Sequence, residues 1–255
     1  MTAILEDIRR YAVKGLSGES LAGTVLAPGE GIADDRRFAL APAASQFDRG
    51  NPEWMPKRNF LQLMRDERLA LLESRFDAES GVLTILRGGR QVARGDITQL
   101  LGRSLIEQFL QAFMPSGPRG NPHIVEVPGQ MLSDVQDKFV SILNLASVKD
   151  IERVARSPVN PDRFRANLHL DGLPAWAEMS WVGREIAIGD ARLEVVEVTG
   201  RCAATEVNPE SGERDLHMLN LLQQGFGHTK CGVYARVVAS GAIAKGDTVQ
   251  IGDAG

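Results

Sequence analysis

Three clusters of residues in this sequence carry side chains and spacings that can do chemistry. The first is Thr199-Gly-Arg-Cys-Ala-Ala-Thr-Glu-Val-Asn-Pro-Glu-Ser-Gly212. Cys202 follows an alternating, strand-like run and is flanked by Gly200 and Arg201. It falls where the chain leaves regular structure, a place where functional groups tend to be held. The adjacent guanidinium favours a thiolate, the form that binds soft metals or attacks electrophiles. A small thiol filling space at a strand end fits the same residues equally well. The second cluster is Asp162-Arg163-Phe164-Arg165-Ala166-Asn167. A spacing of two puts Arg165 and Asn167 on one face of an extended strand. Forked donors beside an amide suit a phosphate or the edge of a heterocycle. The third is Asp34-Asp-Arg-Arg37-Phe38, with Lys14 upstream in Val13-Lys14-Gly15. Basic groups beside glycine-containing turns can meet an anion. A salt-bridged strand edge and a solvated charge cluster account for the second and third clusters without any ligand.

Other chemistries find less support. The four histidines, His123, His169, His217 and His228, include no i, i+4 pair and no HExxH. His228-Thr-Lys-Cys231 has an H-x-x-C spacing, but a metal clip there would need Cys202 and a fourth ligand. A loop histidine and a small buried thiol is the simpler reading. No glycine-rich phosphate loop follows a strand, and no G-x-S-x-G occurs; Ser17 sits in Gly15-Leu-Ser-Gly18, one spacer short. Two cysteines in 255 residues exclude a disulfide framework and a four-thiolate cluster. With 29 Lys plus Arg against 33 Asp plus Glu, the formal net charge is −4, which argues against a dedicated nucleic-acid binder. The first fifteen residues hold Glu6, Asp7, Arg9, Arg10 and Lys14 and so lack an apolar signal core. No long uncharged apolar run predicts a membrane span. A cytoplasmic location with both thiols reduced is the resulting expectation.

The elements that must position these clusters read mainly as strands and turns. Strands are predicted over 4–13, 21–26, 37–40, 69–76, 82–86, 124–127, 139–145, 231–238 and 248–251, with a loop over 41–59. Alternation on both sides of Gly189-Asp190 predicts a hairpin over 186–198. Helices are expected over 103–114, after a capping-box-like Ser147-Val-Lys-Asp150, and over 216–224 with Gly225 as its terminal glycine. Residues 115–122, with three prolines and two glycines, form the best linker candidate. Many short strands with few helices point to a β-barrel or sandwich rather than a doubly wound sheet.

Taken together and in order, Val13-Lys14-Gly15, Asp35-Arg36-Arg37-Phe38, Arg163-Phe164-Arg165-Ala166-Asn167, Arg201-Cys202 with Thr205, Val207 and Pro209, and Gly232-Val233-Tyr234 resemble the MOSC domain proteins. MOSC is the molybdenum cofactor sulfurase C-terminal domain. The resemblance extends to the N-terminal β-barrel domain that accompanies MOSC in the mitochondrial amidoxime-reducing components and their bacterial relatives. It is strongest over 160–238 and weakest over 41–130. It implies an α+β, mainly β fold with few short helices: an N-terminal β-rich domain over 1–120 packed with a MOSC β-barrel over 121–255.

The resemblance also implies a molybdenum cofactor, in which a pterin dithiolene and one protein thiolate hold the metal. Cys202 matches the thiolate ligand. Arg165 and Asn167 match residues that bind the pterin and its phosphate, and Lys14 and Arg36 match a basic pair from the N-terminal domain. Ser147 matches a pocket serine, Arg201 flanks the cysteine, and Thr205 belongs to the same motif. Departures are Asn208 where the family has an acidic residue, and Gly15 where the amidoxime reducers have serine. The implied function is an oxidoreductase acting on small N-hydroxylated substrates. Its electrons would come from a separate donor protein (a reductase, ferredoxin-like protein or b-type cytochrome), because the chain has no cluster or flavin motif of its own. The alternative is a cofactor or persulfide-sulfur carrier without reductase activity. A purely structural role would leave Lys14, Arg36 and Arg165 far from Cys202.

Overall fold

The computed structural model describes residues 3–114 and 119–252. In chain order, the first strands are β1 (Ala3–Arg10), β2 (Glu19–Leu21), β3 (Gly23–Leu26) and β4 (Phe38–Pro42). They are followed by β5 (Glu73–Asp77), β6 (Val82–Arg87), β7 (Arg90–Asp96) and helix α1 (Leu100–Phe113). Next come β8 (Pro122–Glu126), β9 (Val140–Asn144), helix α2 (Leu145–Ala155) and β10 (Leu168–Asp171). The last elements are β11 (Glu185–Ile188), β12 (Ala191–Gly200), helix α3 (Met218–Phe226), β13 (Lys230–Ala239), β14 (Gly241–Ala244) and β15 (Thr248–Ile251).

Strand alternation builds a barrel. In β1, Ala3, Leu5 and Ile8 point inward; in β12, Ala191, Leu193 and Val195 do. The strands run β10-β9-β13-β12-β11-β15-β1, and the β1–β10 pairing closes the ring. Closure removes the exposed edges that an open sheet would leave. The barrel interior is an apolar cluster that includes Leu5, Ile8, Ile142, Leu168, Leu193 and Val233. β9 and β10 pair in parallel, with α2 as the crossover between them; every other pairing in the ring is antiparallel. The mainly β, barrel-containing fold expected from the sequence is the fold observed.

A second body packs the β5-β6-β7 sheet and α1 around Leu16, Phe38, Leu69, Leu83, Ile106 and Leu110. Helix α1 buries Ile106, Leu110 and Phe113 and brings Gly102 against β7. A Cβ on Gly102 would sit 1.9 Å from the Asp96 carbonyl oxygen, so only glycine permits that approach. Strand pairing crosses residue 120 in both directions. β1, from the first half of the chain, belongs to the barrel, and β8, from the second half, pairs with β4 in register Phe38↔Glu126.

Several local expectations shift for physical reasons. The predicted strand over 21–26 is two strands meeting at Ala22, because β2 pairs with β1 while β3 pairs with β14. Residues Glu67–Leu71 form a 3-10 turn rather than strand; an apolar run as short as Leu69–Leu72 fits either state. Helix α2 starts at Leu145, capped by Asn144, whose side chain accepts from the Ala146 amide; Ser147 is inside the helix. Helix α3 ends at Gly227 in the left-handed region, two residues beyond Gly225. Of the linker candidate, 115–118 lie outside the described residues, and Pro122 opens β8, a position where its missing N–H is tolerated.

Candidate functional site

Cys202 owes its position to the end of β12. The strand continues as far as the Arg201 amide, which donates to the Thr229 carbonyl at 2.9 Å. The Arg201 guanidinium then donates to the Cys231 carbonyl (Nε, 2.7 Å) and to the Phe164 carbonyl (Nη1, 2.8 Å). It therefore clamps the strand end to β13 and to the turn before Arg165, and is not free to act on the sulfur. Cys202 caps the 3-10 turn Ala203–Glu206. Thr205 closes back on the Cys202 carbonyl through its amide (3.0 Å) and its hydroxyl (2.9 Å). The backbone is fixed from both sides, and the half-buried thiol faces a cavity.

Lys14, Arg36, Arg165, Asn167, Arg201, Cys202 and Thr205 all line that cavity. Residues separated by almost the whole sequence thus converge, against the expectation for a purely structural protein. Ser147 does not join them. It is fully buried beside Glu178, donating to Oε1 at 3.0 Å while accepting from the Trp176 amide at 2.8 Å. Asn167 reaches the cavity wall, but its amide is engaged: Oδ1 accepts from Ser141 Oγ (2.8 Å) and Nδ2 donates to the Arg9 carbonyl (3.1 Å). It latches the turn to β9.

The cationic groups fall into two sets. Arg36 and Arg165 form one. Both have left-handed backbones, φ +47° and +51°, which cost roughly 1–3 kcal/mol each for non-glycine residues and cluster where function holds them. Arg165 does not extend along a strand as its spacing to Asn167 suggested; it ends the 3-10 turn Pro161–Phe164. Arg36 pairs with Asp35, and its Nη2 donates to the Arg165 carbonyl at 2.7 Å. Among the described residues the Arg165 guanidinium has no hydrogen-bond partner and no carboxylate within ion-pair distance. Burial, with Arg36 adding to it against the pull of Tyr11, pushes the Arg165 guanidinium down to about 10.

The second set was not legible in the sequence. Lys57, in a stretch read as loop, places Nζ 3.6 Å from the Cys202 sulfur and 2.8 Å from Asp134 Oδ2. The other oxygen of Asp134 accepts from Lys14 Nζ at 2.7 Å, and Lys14 also donates to the Leu132 carbonyl at 3.0 Å. Desolvation would raise the Asp134 carboxyl, yet the two ammonium groups hold it well below the usual carboxylate range. Burial lowers Lys14, with Asp134 opposing. The cation beside the thiol is therefore Lys57, not Arg201. No motif surrounds Lys57 or Asp134, so only the tertiary fold shows them.

Behind this wall, Arg163 is almost fully buried and donates through Nη2 to both oxygens of Asp215 at 2.7 Å. Asn208, which replaces the expected acidic residue, donates Nδ2 to Asp215 Oδ2 at 2.7 Å. The pair ties the Arg165 turn to the loop that follows Cys202. His228 packs edge-on to Trp176, with ring centroids 5.4 Å apart, while Cys231 is buried in apolar surroundings that push its thiol up to about 12. Cys231 is a core residue. Among the described residues no group of three or more His, Cys, Asp or Glu is placed to hold a metal ion. No described helix is long and apolar enough to cross a membrane.

Curated relatives match in part. Mitochondrial amidoxime-reducing component 1 of Mus musculus is 35% identical over 74 residues, 29% of this chain and 21% of that protein. Molybdenum cofactor sulfurase of Drosophila ananassae is 25% identical over 160 residues, 61% of this chain and 20% of that protein. The chain thus spans about a fifth of the length of these relatives. Among solved structures, the YuaD protein from Bacillus subtilis superposes with a TM-score of 0.47 at 13% identity, covering 98% of this chain and 96% of that one. The MOSC domain pattern matches residues 121–250. That stretch is over half of the sequence and holds Arg165, Asn167 and Cys202, and the chain belongs to the MOSC domain family.

Proposed function

We propose that this cavity holds a molybdenum–pterin cofactor and that the protein reduces N-hydroxylated substrates with electrons from a separate donor protein. One observation carries the reading: a single accessible thiol lines the same cavity as a guanidinium that has no partner among the described residues, and those residues include no group of three or more His, Cys, Asp or Glu placed to hold a metal. That donor set fits a metal that brings most of its ligands with it and needs one thiolate, on a scaffold whose anionic tail needs fixed cations. It does not fit a zinc or iron site built from protein ligands alone.

In this reading Cys202 is the thiolate ligand, and Arg165, Arg36 and Lys14 face the pterin phosphate. Arg201, Thr205 and Asn167 position these groups through the backbone bonds described above. The Lys57 ammonium, held by Asp134, donates to the Cys202 sulfur. When bound, the cofactor supplies two-electron transfer and oxygen-atom exchange. At the substrate, N–OH becomes N–H and water is released, consuming two electrons and two protons. The cavity sits where the barrel meets the second body, so both supply its walls.

The test is metal analysis of the full chain made in a host that synthesises the cofactor, followed by amidoxime reduction with a supplied electron donor. Wild-type protein should carry about one molybdenum per chain, and Cys202→Ser should carry little metal and have no activity. Wild-type protein without molybdenum, or Cys202→Ser with unchanged activity, overturns the reading. Molybdenum retained without turnover selects the carrier alternative, which labelling of a persulfide on Cys202 then checks.

A further inference from the structure

The Arg165 side chain poses a positioning problem. A guanidinium on a flexible stem carries about 2 kcal/mol of rotamer entropy, and this one has no hydrogen bond among the described residues to hold it. What it has is a ring. Its central carbon lies 4.4 Å from the centroid of Tyr11, and the Arg36 central carbon lies 4.5 Å from the same centroid. Tyr11 is 1% exposed, so both contacts are screened little by water.

The ring is itself fixed. The Tyr11 amide donates to Asp35 Oδ1 at 2.7 Å, and its hydroxyl donates to the Ala166 carbonyl at 3.4 Å. Asp35 is also the partner of Arg36, and Ala166 follows Arg165, so the ring is tied to both arginine segments through backbone and side chain. On another side Gly18 packs against it; a Cβ there would come within 2.6 Å of a ring carbon. Two like charges drawn to one aromatic ring repel each other, and an anion bound in the cavity that both line relieves that repulsion.

We propose that Tyr11 is the positioning residue of an anion site, its ring holding the Arg36 and Arg165 guanidiniums in the cavity that both line, where together they take a phosphoryl group. Naming the phosphoryl group rests on the reading of the cavity as a cofactor pocket. The two-arginine platform rests on the distances alone.

The experiment replaces Tyr11 with phenylalanine and its mono-, di- and trifluorinated analogues in the full chain. Fluorination drains the negative ring face with little change of shape, so folding is not put at risk. The probe is inorganic phosphate, titrated calorimetrically into cofactor-free protein, with the melting temperature of each variant measured alongside. Tyr11→Phe should bind phosphate within about twofold of wild type. Affinity should then fall stepwise to roughly one thirtieth at the trifluorinated ring, the loss expected when a desolvated cation–π contact is removed. The melting temperature should stay level, whereas a merely structural ring would shift melting and leave affinity flat. A flat affinity series, or wild-type protein that binds no phosphate, overturns the proposal. Wild-type protein that lacks molybdenum but keeps the graded phosphate response overturns the redox reading and leaves the platform standing.

Discussion

Removing Asp215 should cost more than removing its partner, Arg163, although each change breaks the same ion pair. The Arg163 side chain is 1% exposed and Asp215 36% exposed. Asp215→Ala therefore strands a buried guanidinium that cannot shed its proton and whose Nε already lacks a partner. Arg163→Met strands a carboxylate that water reaches and that Asn208 still contacts. Breaking a buried pair from one side costs about 3–5 kcal/mol, and Asp215→Ala belongs in that range. Arg163→Met forfeits mainly hydrogen bonds, including Nη1 to the Glu206 carbonyl at 3.1 Å, and should cost about 1–2 kcal/mol. The double variant should be more stable than Asp215→Ala alone, because it removes the stranded charge. Urea unfolding of the four proteins at pH 7 reads this directly. Equal single costs, or a double variant at the sum of the singles, refutes the reasoning. The pH dependence has a definite sign. Burial would raise the Asp215 carboxyl, but Arg163 and Asn208 hold it below the usual range. Its contribution is therefore complete above the ordinary aspartate pKa and is lost as the pH falls through the lowered folded value. Wild type should lose more stability on acidification than Asp215→Ala does.

Other perturbations test other parts of the frame. Asn208→Asp would set a second carboxylate beside Asp215 in place of a donor at 2.7 Å; it should cost about 1–2 kcal/mol at pH 7 and less as the pH falls and one carboxyl protonates. Gly232→Ala should cost about 3 kcal/mol in thermal or urea unfolding, since φ is +74° and a Cβ would lie 2.4 Å from the Ile142 carbonyl oxygen. Burial raises the Glu178 carboxyl despite donors from Asn144 and Ser147. A raised folded value gives stability that is full below the ordinary glutamate pKa and lost as the pH rises through the folded one. Stability measured from pH 4 to 8 should therefore fall less steeply in Glu178→Gln than in wild type.

The parts of this fold legible in the sequence are those where local chemistry and tertiary structure agree. The hairpin at Gly189-Asp190 forms where alternation and turn residues placed it, with Ile188 opposite Ala191. Helix α1 is legible in the sequence, but its start is not, because Leu100 and Leu101 are exposed apolar residues and Gln99 caps with no side-chain bond. Within the site, Cys202, Arg165, Arg36 and Lys14 stood out because each sits in a distinctive short motif. Their roles were less legible. Arg201 beside Cys202 suggests electrostatics, yet its donors are spent on the Cys231 and Phe164 carbonyls, 30 and 37 residues away in sequence. Lys57 and Asp134 carry no local signal, since what brings them together beside Cys202 is a pair of oxygens meeting two amines across loops far apart in the chain. Ser147 illustrates the converse: a well-placed residue in a motif whose hydroxyl turns inward to a buried acid.

Closure of the barrel by β1 has a consequence for how the molecule comes into being. Leu5 waits for Leu170, and Ala3 waits for Val249. At ordinary synthesis rates of about 5–20 residues per second, roughly 10–50 s separate the making of β1 from the making of its last neighbour. Through that interval one edge of an apolar strand has no partner and can be claimed by another chain. The ring cannot assemble piecewise during translation and must close late, through contacts of very long sequence separation, a topology associated with slow folding. Yield of the folded protein should thus depend on whatever shields that first strand, and the thiol end of β12, three positions around the same ring, takes its final place only when the strand does.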